Sequence, residues 1–118
     1  MSRFRLAQPA QSDLADLATI LATSAERWGA DGRRRYALIL AAAMRKAAAE
    51  PEGPLTRPRP DLHSGLRSLH VRHARRDVAD ATVRSPVHVL YFRIVQPDLI
   101  EIVRVLHERM EPSRHLPD

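Results

Sequence analysis

The amino-acid sequence predicts an α+β fold: an N-terminal strand, an antiparallel α-helical hairpin, a three-stranded antiparallel meander and a short C-terminal helix. Three observations carry this reading. The hydrophobic pattern changes at Pro9 from alternation to a repeat of about 3.6 residues. A proline-rich block, with Pro51, Pro54, Pro58 and Pro60, separates the helical pattern from the C-terminal half of the chain. Beyond it, two apolar runs rich in β-branched residues are joined by Gln96-Pro97-Asp98.

Phe4 and Leu6 alternate with polar neighbours from Arg3 to Gln8, a short strand that ends where Pro9 removes a donor. From Pro9, well suited to a first helical position, Leu14, Leu17, Ala18, Leu21, Ala25 and Trp28 recur at helical spacing, and Gly29 supplies a stop. Asp31 can cap a second helix marked by Tyr36, Ile39, Leu40, Ala43 and Ala47 and closed at Glu50-Pro51. So short a connection predicts antiparallel pairing, and the alanines let a neighbouring backbone approach closely.

Residues 51–65, with Arg57 and Arg59 between prolines, read as an extended surface loop. Leu66 to Val71, Val87 to Val95 and Leu99 to Leu106 are the strands of the meander. The last two are apolar on both alternating faces and are expected to lie centrally, covered on both sides. Glu108 to Glu111 can form a short helical turn stopped by Pro112.

A chain of 118 residues fits one domain, 1–118. Hydrophobic residues at 44% and charged residues at 28% belong to a globular chain and exclude a disordered one. No apolar run approaches the ~20 residues of a membrane span, and the N-terminus lacks an apolar leader segment, which predicts a cytoplasmic protein. Absent cysteine excludes disulfides, thiolate metal sites and a cysteine nucleophile. The net charge of +5 and pI of 10.9 favour an anionic partner, be it nucleic acid, a nucleoprotein machine or an acidic protein, and are equally compatible with a solvated basic surface.

Several strings resemble the ParE branch of the ParE/RelE toxin superfamily. They are Gly65-Leu66-Arg67-Ser68, His88-Val89-Leu90-Tyr91-Phe92-Arg93, the run Ile100-Glu101-Ile102-Val103-Arg104-Val105-Leu106-His107-Glu108-Arg109-Met110, and the Arg114-His115-Leu116 tail. With the Trp28-Gly29 helix end, the similarity covers nearly the whole chain. The connection from Arg72 to Ser85 is longer than the family leads one to expect.

The resemblance implies the toxin of a type II toxin-antitoxin system, a non-enzymatic inhibitor of DNA gyrase. Its expected partners are a ParD-like antitoxin with a ribbon-helix-helix N-terminal domain, forming a toxin-antitoxin hetero-oligomer, and gyrase itself. Operator DNA would be met only through the antitoxin, and no membrane or cofactor is implied. The alternative is a RelE-like, ribosome-dependent mRNA endonuclease.

Such a nuclease needs a base, cations for the phosphate and an acid, and Arg67, Tyr91, Arg104, His107, Glu108 and Arg109 are the residues available to supply them. Arginine stays protonated, so Glu108 or a histidine would be the base, and Lys46 is the single lysine. No phosphate-binding glycine loop, nucleophile elbow or metal-ligand spacing among the histidines is present.

For target binding the sequence points to Arg104, His107, Arg109, Met110 and Arg114, cations and a flexible apolar side chain near the last turn. The bland alternatives are an ion pair of Arg104 with Glu101 or Glu108 and a turn-fixing hydrogen bond from His107. For antitoxin binding it points to Leu14, Leu17, Leu21, Trp28, Arg34 and Tyr36, on the expectation that a helix lies against the hairpin and an extended segment near the sheet. Arg33-Arg34-Arg35 crowd a helix start, where an anionic partner would offset their repulsion by the helix dipole.

Overall fold

Strand β1 (Arg3–Leu6) is followed by helices α1 (Gln8–Thr23) and α2 (Ala25–Ala49) and then by strands β2 (Arg57–Pro58), β3 (Leu66–His70), β4 (His88–Gln96) and β5 (Leu99–His107). The structure, a computed structural model, describes residues 2–23, 25–78 and 86–116, and the side chains of these apart from those within 21–31. The strands form one sheet in the order β1-β5-β4-β3-β2, with β1 parallel to β5 and the other neighbours antiparallel. The expected α+β arrangement of strand, helical hairpin and meander is therefore present.

Pro9 occupies the first turn of α1, where its missing N–H costs nothing. The boundary between the helices differs from expectation: α2 begins at Ala25 and runs through Gly29 and Asp31, the expected stop and cap. A helical glycine costs only about 1 kcal/mol, a weak stop inside a 25-residue helix rich in alanine and arginine. Both helices pack on one face of the sheet, where Leu17, Tyr36, Ile39 and Ala43 meet Leu69, Leu90, Phe92 and Ile102 in one apolar cluster. Phe92 and Ile102 are fully buried, each worth about 1.5–3 kcal/mol of transfer free energy.

The opposite face carries a smaller cluster of Leu66, Tyr91 and Leu106, covered by the chain's own Leu62 and Leu116. Both faces of the central strands are thus at least partly covered from within the chain.

β5 departs from simple alternation. Tyr91 pairs with Arg104 but Phe92 pairs with Ile102, so Val103 is the extra residue of a bulge. Ile102 and Val105 consequently face the helices, while Val103 and Leu106 face away. Strict alternation would put Arg104 on one face with Ile102 and Leu106, and the bulge separates those two residues onto opposite faces.

Two other expectations change. The loop 51–65 contains β2, which pairs with β3, and a buried Thr56 whose hydroxyl donates to the carbonyls of Pro51 and Gly53. At the C-terminus, Glu108 to Glu111 form a turn and not a helix; Pro112 starts a 3₁₀ segment, Pro112–Arg114, where it had been expected to stop one. A proline lacks only the N–H that a first turn leaves unpaired, and the Glu111 side chain accepts the Ser113 N–H as a cap.

In the long connection, Val71–Asp77 form a 3₁₀ helix packed on α2 through buried Val71 and Ala74, with Lys46 and Asp77 paired at 3.0 Å. Residues 79–85, the rest of that connection, lie outside the described residues.

Candidate functional site

The face of the sheet turned away from the helices ends in a groove beyond its apolar cluster. Its floor is Ser68, Val89 and Tyr91, and one bank carries Arg57 and Arg59 from β2 and the residues after it. The other bank is formed by Arg72 and His73 of the 3₁₀ helix, with Met110 and Pro112 closing the end in a recess of about 330 Å³. A second recess of about 620 Å³ shares Leu55, His70, Arg72 and Glu108 with the first and adds Arg75 and Arg76. The two form a continuous cationic trough.

Local structure explains why the arginines converge. Residues three apart in a 3₁₀ helix eclipse one another, which aligns Arg72 with Arg75 on one side while Val71 and Ala74 are buried on the other. His70, at the end of β3, caps that helix by accepting the Arg72 N–H on Nδ1 at 3.1 Å. Its Nε2 lies 2.7 Å from Glu108, and this bond, with smaller help from nearby cations, keeps the Glu108 carboxyl below its ordinary range. Arg59 is held by Asp61 at 3.1–3.2 Å and lies over the Tyr91 ring at 5.9 Å. Burial, then the positive charge of Arg72, pushes His73 below its usual pKa.

A second polar cluster lies at the end of the helix-covered face. The Tyr36 hydroxyl oxygen accepts the Val87 N–H at 3.2 Å and shares a hydrogen bond of 2.5 Å with His88 Nδ1. His88 is half-buried. Burial, reinforced by His107, lowers its pKa to about 4, and burial raises that of Tyr36. The His88 and His107 rings meet edge to face at 5.6 Å.

The residues expected to meet a target separate into two groups. Arg104 is engaged: its guanidinium donates twice to Asp13 at 2.8 Å and once to the His115 carbonyl. Its partner is neither Glu101, which binds Arg5 and Arg93, nor Glu108, which binds His70. His107 is half-buried, and its Nδ1 accepts the Arg109 N–H at 3.1 Å, a turn-fixing bond. Arg109, Met110 and Arg114 are exposed.

Among the residues expected to meet an antitoxin, Leu17 and Tyr36 are 8% and 2% exposed and belong to the chain's own core. Leu14 is half-buried against that core, and Arg34 is exposed on α2. The side chains of Leu21 and Trp28 lie outside the described residues.

The set assembled for nuclease chemistry is not brought together. Arg67 points toward the 51–56 loop, donating to the Pro51 carbonyl and the Thr56 hydroxyl at 2.8 Å, while Arg104 is tied to Asp13. Tyr91 and Glu108 do reach one groove, but with His70, Arg57, Arg59 and Arg72, which were not singled out for that role. The arginines alternating with prolines, and those three apart after Val71, were the available signals. Asp13 offered none, because its partner is 91 residues away. Among the described residues no group of His, Asp and Glu is arranged to hold a metal ion, and no helix is long and apolar enough to cross a membrane.

Comparison with known proteins adds a family model, the ParE toxin of the type II toxin-antitoxin system parDE, which matches residues 4–112. Toxin ParE1 of Mycobacterium tuberculosis is 30% identical over 115 residues, 98% of each chain. Toxin ParE1 of Caulobacter vibrioides is 30% identical over 116 residues, covering 98% of this chain and 99% of that one.

Proposed function

We propose, from the premise that this chain belongs to the ParE toxin family of type II toxin-antitoxin systems, that it inhibits DNA gyrase by binding and is neutralised by a ParD-like antitoxin. The observation that supports binding over catalysis is the fate of the two strand arginines. Arg67 and Arg104, which a phosphoryl-transfer site would aim at substrate, are both committed to holding the fold together. The exposed turn after β5, with Arg109 and Met110, and Arg114 beyond it, is the surface proposed for the target.

The antitoxin is proposed to lie along the outer side of the helices, where Arg34 is exposed, with Leu14 at the margin of the core. Because α2 starts at Ala25, Arg33, Arg34 and Arg35 lie more than two turns inside it and not at a helix start as expected, so acidic antitoxin residues there would offset the arginines' own charge and not a helix dipole.

A second reading, the RelE-like mRNA endonuclease, is favoured by one observation: His70 and Glu108 form an acid-base pair at 2.7 Å beside Arg72. One pair of assays separates the two. Purified toxin is expected to block gyrase supercoiling or trap cleaved DNA while leaving ribosome-bound mRNA intact. Site-specific mRNA cuts with unaffected gyrase would overturn the gyrase reading and install the nuclease.

A further inference from the structure

We infer that the cationic trough between β2 and the Val71–Asp77 3₁₀ helix binds single-stranded nucleic acid through its phosphodiester backbone, without regard to base sequence. The inference goes beyond the gyrase reading and does not rest on it.

Charge complementarity carries the argument. Arg57 and Arg59 stand on one bank and Arg72, Arg75 and Arg76 on the other, against Glu108 as the one carboxylate among the described lining residues. That carboxylate is already bonded to His70. Arg57, Arg72, Arg75 and Arg76 make no ion pair or side-chain hydrogen bond among the described residues, so their donors are available to a ligand. Planar guanidinium forks match phosphate oxygens two at a time, and a row of them on facing banks suits a ligand with a charge at every repeat.

The shape favours a single strand over a duplex. The trough is a recess within a molecule whose own extents are 41 × 30 × 20 Å. A duplex roughly 20 Å wide would rest on the rims, whereas one extended strand can lie between the banks. Base stacking contributes little, because Tyr91 is 5% exposed and already covered by Arg59. Recognition would therefore be electrostatic and tolerant of sequence.

The chemistry distinguishes a nucleic acid from an acidic peptide less by sign than by spacing. A peptide also brings apolar side chains, and the trough offers them Leu55, Met110 and Pro112 at its edges and a half-buried Val89 on its floor, against five arginines. An acidic peptide is accordingly the competing outcome of the test.

The experiment is fluorescence anisotropy of the full chain with a labelled mixed-sequence DNA strand, repeated with RNA of the same sequence and with a glutamate-rich peptide of equal charge. With about three phosphates neutralised, affinity should fall roughly twentyfold between about 50 and 200 mM salt, and RNA should bind within about threefold of DNA. The triple variant Arg72→Gln, Arg75→Gln, Arg76→Gln should weaken DNA binding at least about tenfold and flatten its salt dependence. The charge-matched triple Arg3→Gln, Arg33→Gln, Arg45→Gln, on β1 and α2 away from the trough, should stay within about threefold of the parent. Should the first triple fail to fold, Arg57→Gln tests the opposite bank alone. Equal losses in the trough and charge-matched variants, no DNA binding at low salt, RNA binding without DNA binding, or tighter binding of the peptide would each overturn the inference.

Discussion

Asp13 and Arg104 are joined by two parallel hydrogen bonds of 2.8 Å, and the same carboxylate accepts the backbone N–H of Val105, also at 2.8 Å. β1 accompanies β5 only as far as Ile102, after which the Ala7 N–H takes the Ile102 carbonyl at 2.9 Å. Beyond that point β5 has an open edge, and Asp13 of α1 closes it. The bond also holds the guanidinium of Arg104 above its already high pKa. Arg104 in turn donates to the His115 carbonyl, tying the C-terminal tail to the sheet.

Replacing Asp13 with Ala is expected to destabilise the protein by about 2–4 kcal/mol, because it leaves a guanidinium and a strand N–H unpaired where the side chains are only 12–19% exposed. Urea midpoints of Asp13→Ala, Arg104→Ala and the double variant would measure the coupling. Strictly additive losses would show that the pair contributes nothing of its own.

His88 gives the fold a dependence on pH. Its pKa falls from 6.5 to about 4 on folding, so the unfolded chain binds the extra proton first. The stabilisation is full above 6.5, declines as pH falls toward 4 and is gone below it. Allowing for partial exposure, the loss should be on the order of 2 kcal/mol. Thermal melts at pH 7.5 and 4.5 should show a smaller drop for His88→Phe than for the parent; an identical drop would place the pH dependence elsewhere.

Arg109 and Met110 are exposed past the end of β5, so Arg109→Ala and Met110→Ala should change stability by less than about 0.5 kcal/mol. Inhibition of supercoiling should nevertheless require at least about tenfold more of the double variant, the loss of roughly 1.4 kcal/mol of binding. Full potency in a folded double variant would remove this turn from the target surface.

On the antitoxin side, Leu17→Asp should prevent folding altogether, since it puts a carboxylate into the core at a position 8% exposed. Arg34→Glu should fold normally yet weaken antitoxin capture about tenfold by reversing a rim charge. Unchanged capture by Arg34→Glu, measured by titration calorimetry, would move the antitoxin off this face.

Much of this molecule is set by local pattern. The period change at Pro9, the proline block and the two apolar runs specify the order strand, helices, meander, because each depends on residues a few positions apart. The strings around Gly65, His88 and Ile102 likewise marked the family. The helix boundary was not legible in this way, because Gly29 is tolerated within a helix whose apolar face is packed against the sheet.

What only tertiary structure decided are the pairings across long stretches of chain. The bulge at Val103 assigned Arg104 its face, and Asp13 claimed its charge from 91 residues away. Pairing of β4 with β3 on one side and β5 on the other brought His70 to Glu108, and packing of the 3₁₀ helix on α2 turned Arg72 toward Arg57. Periodicity fixes which side of an element is apolar; which charges then face one another depends on register and packing, and these are settled only when the sheet closes.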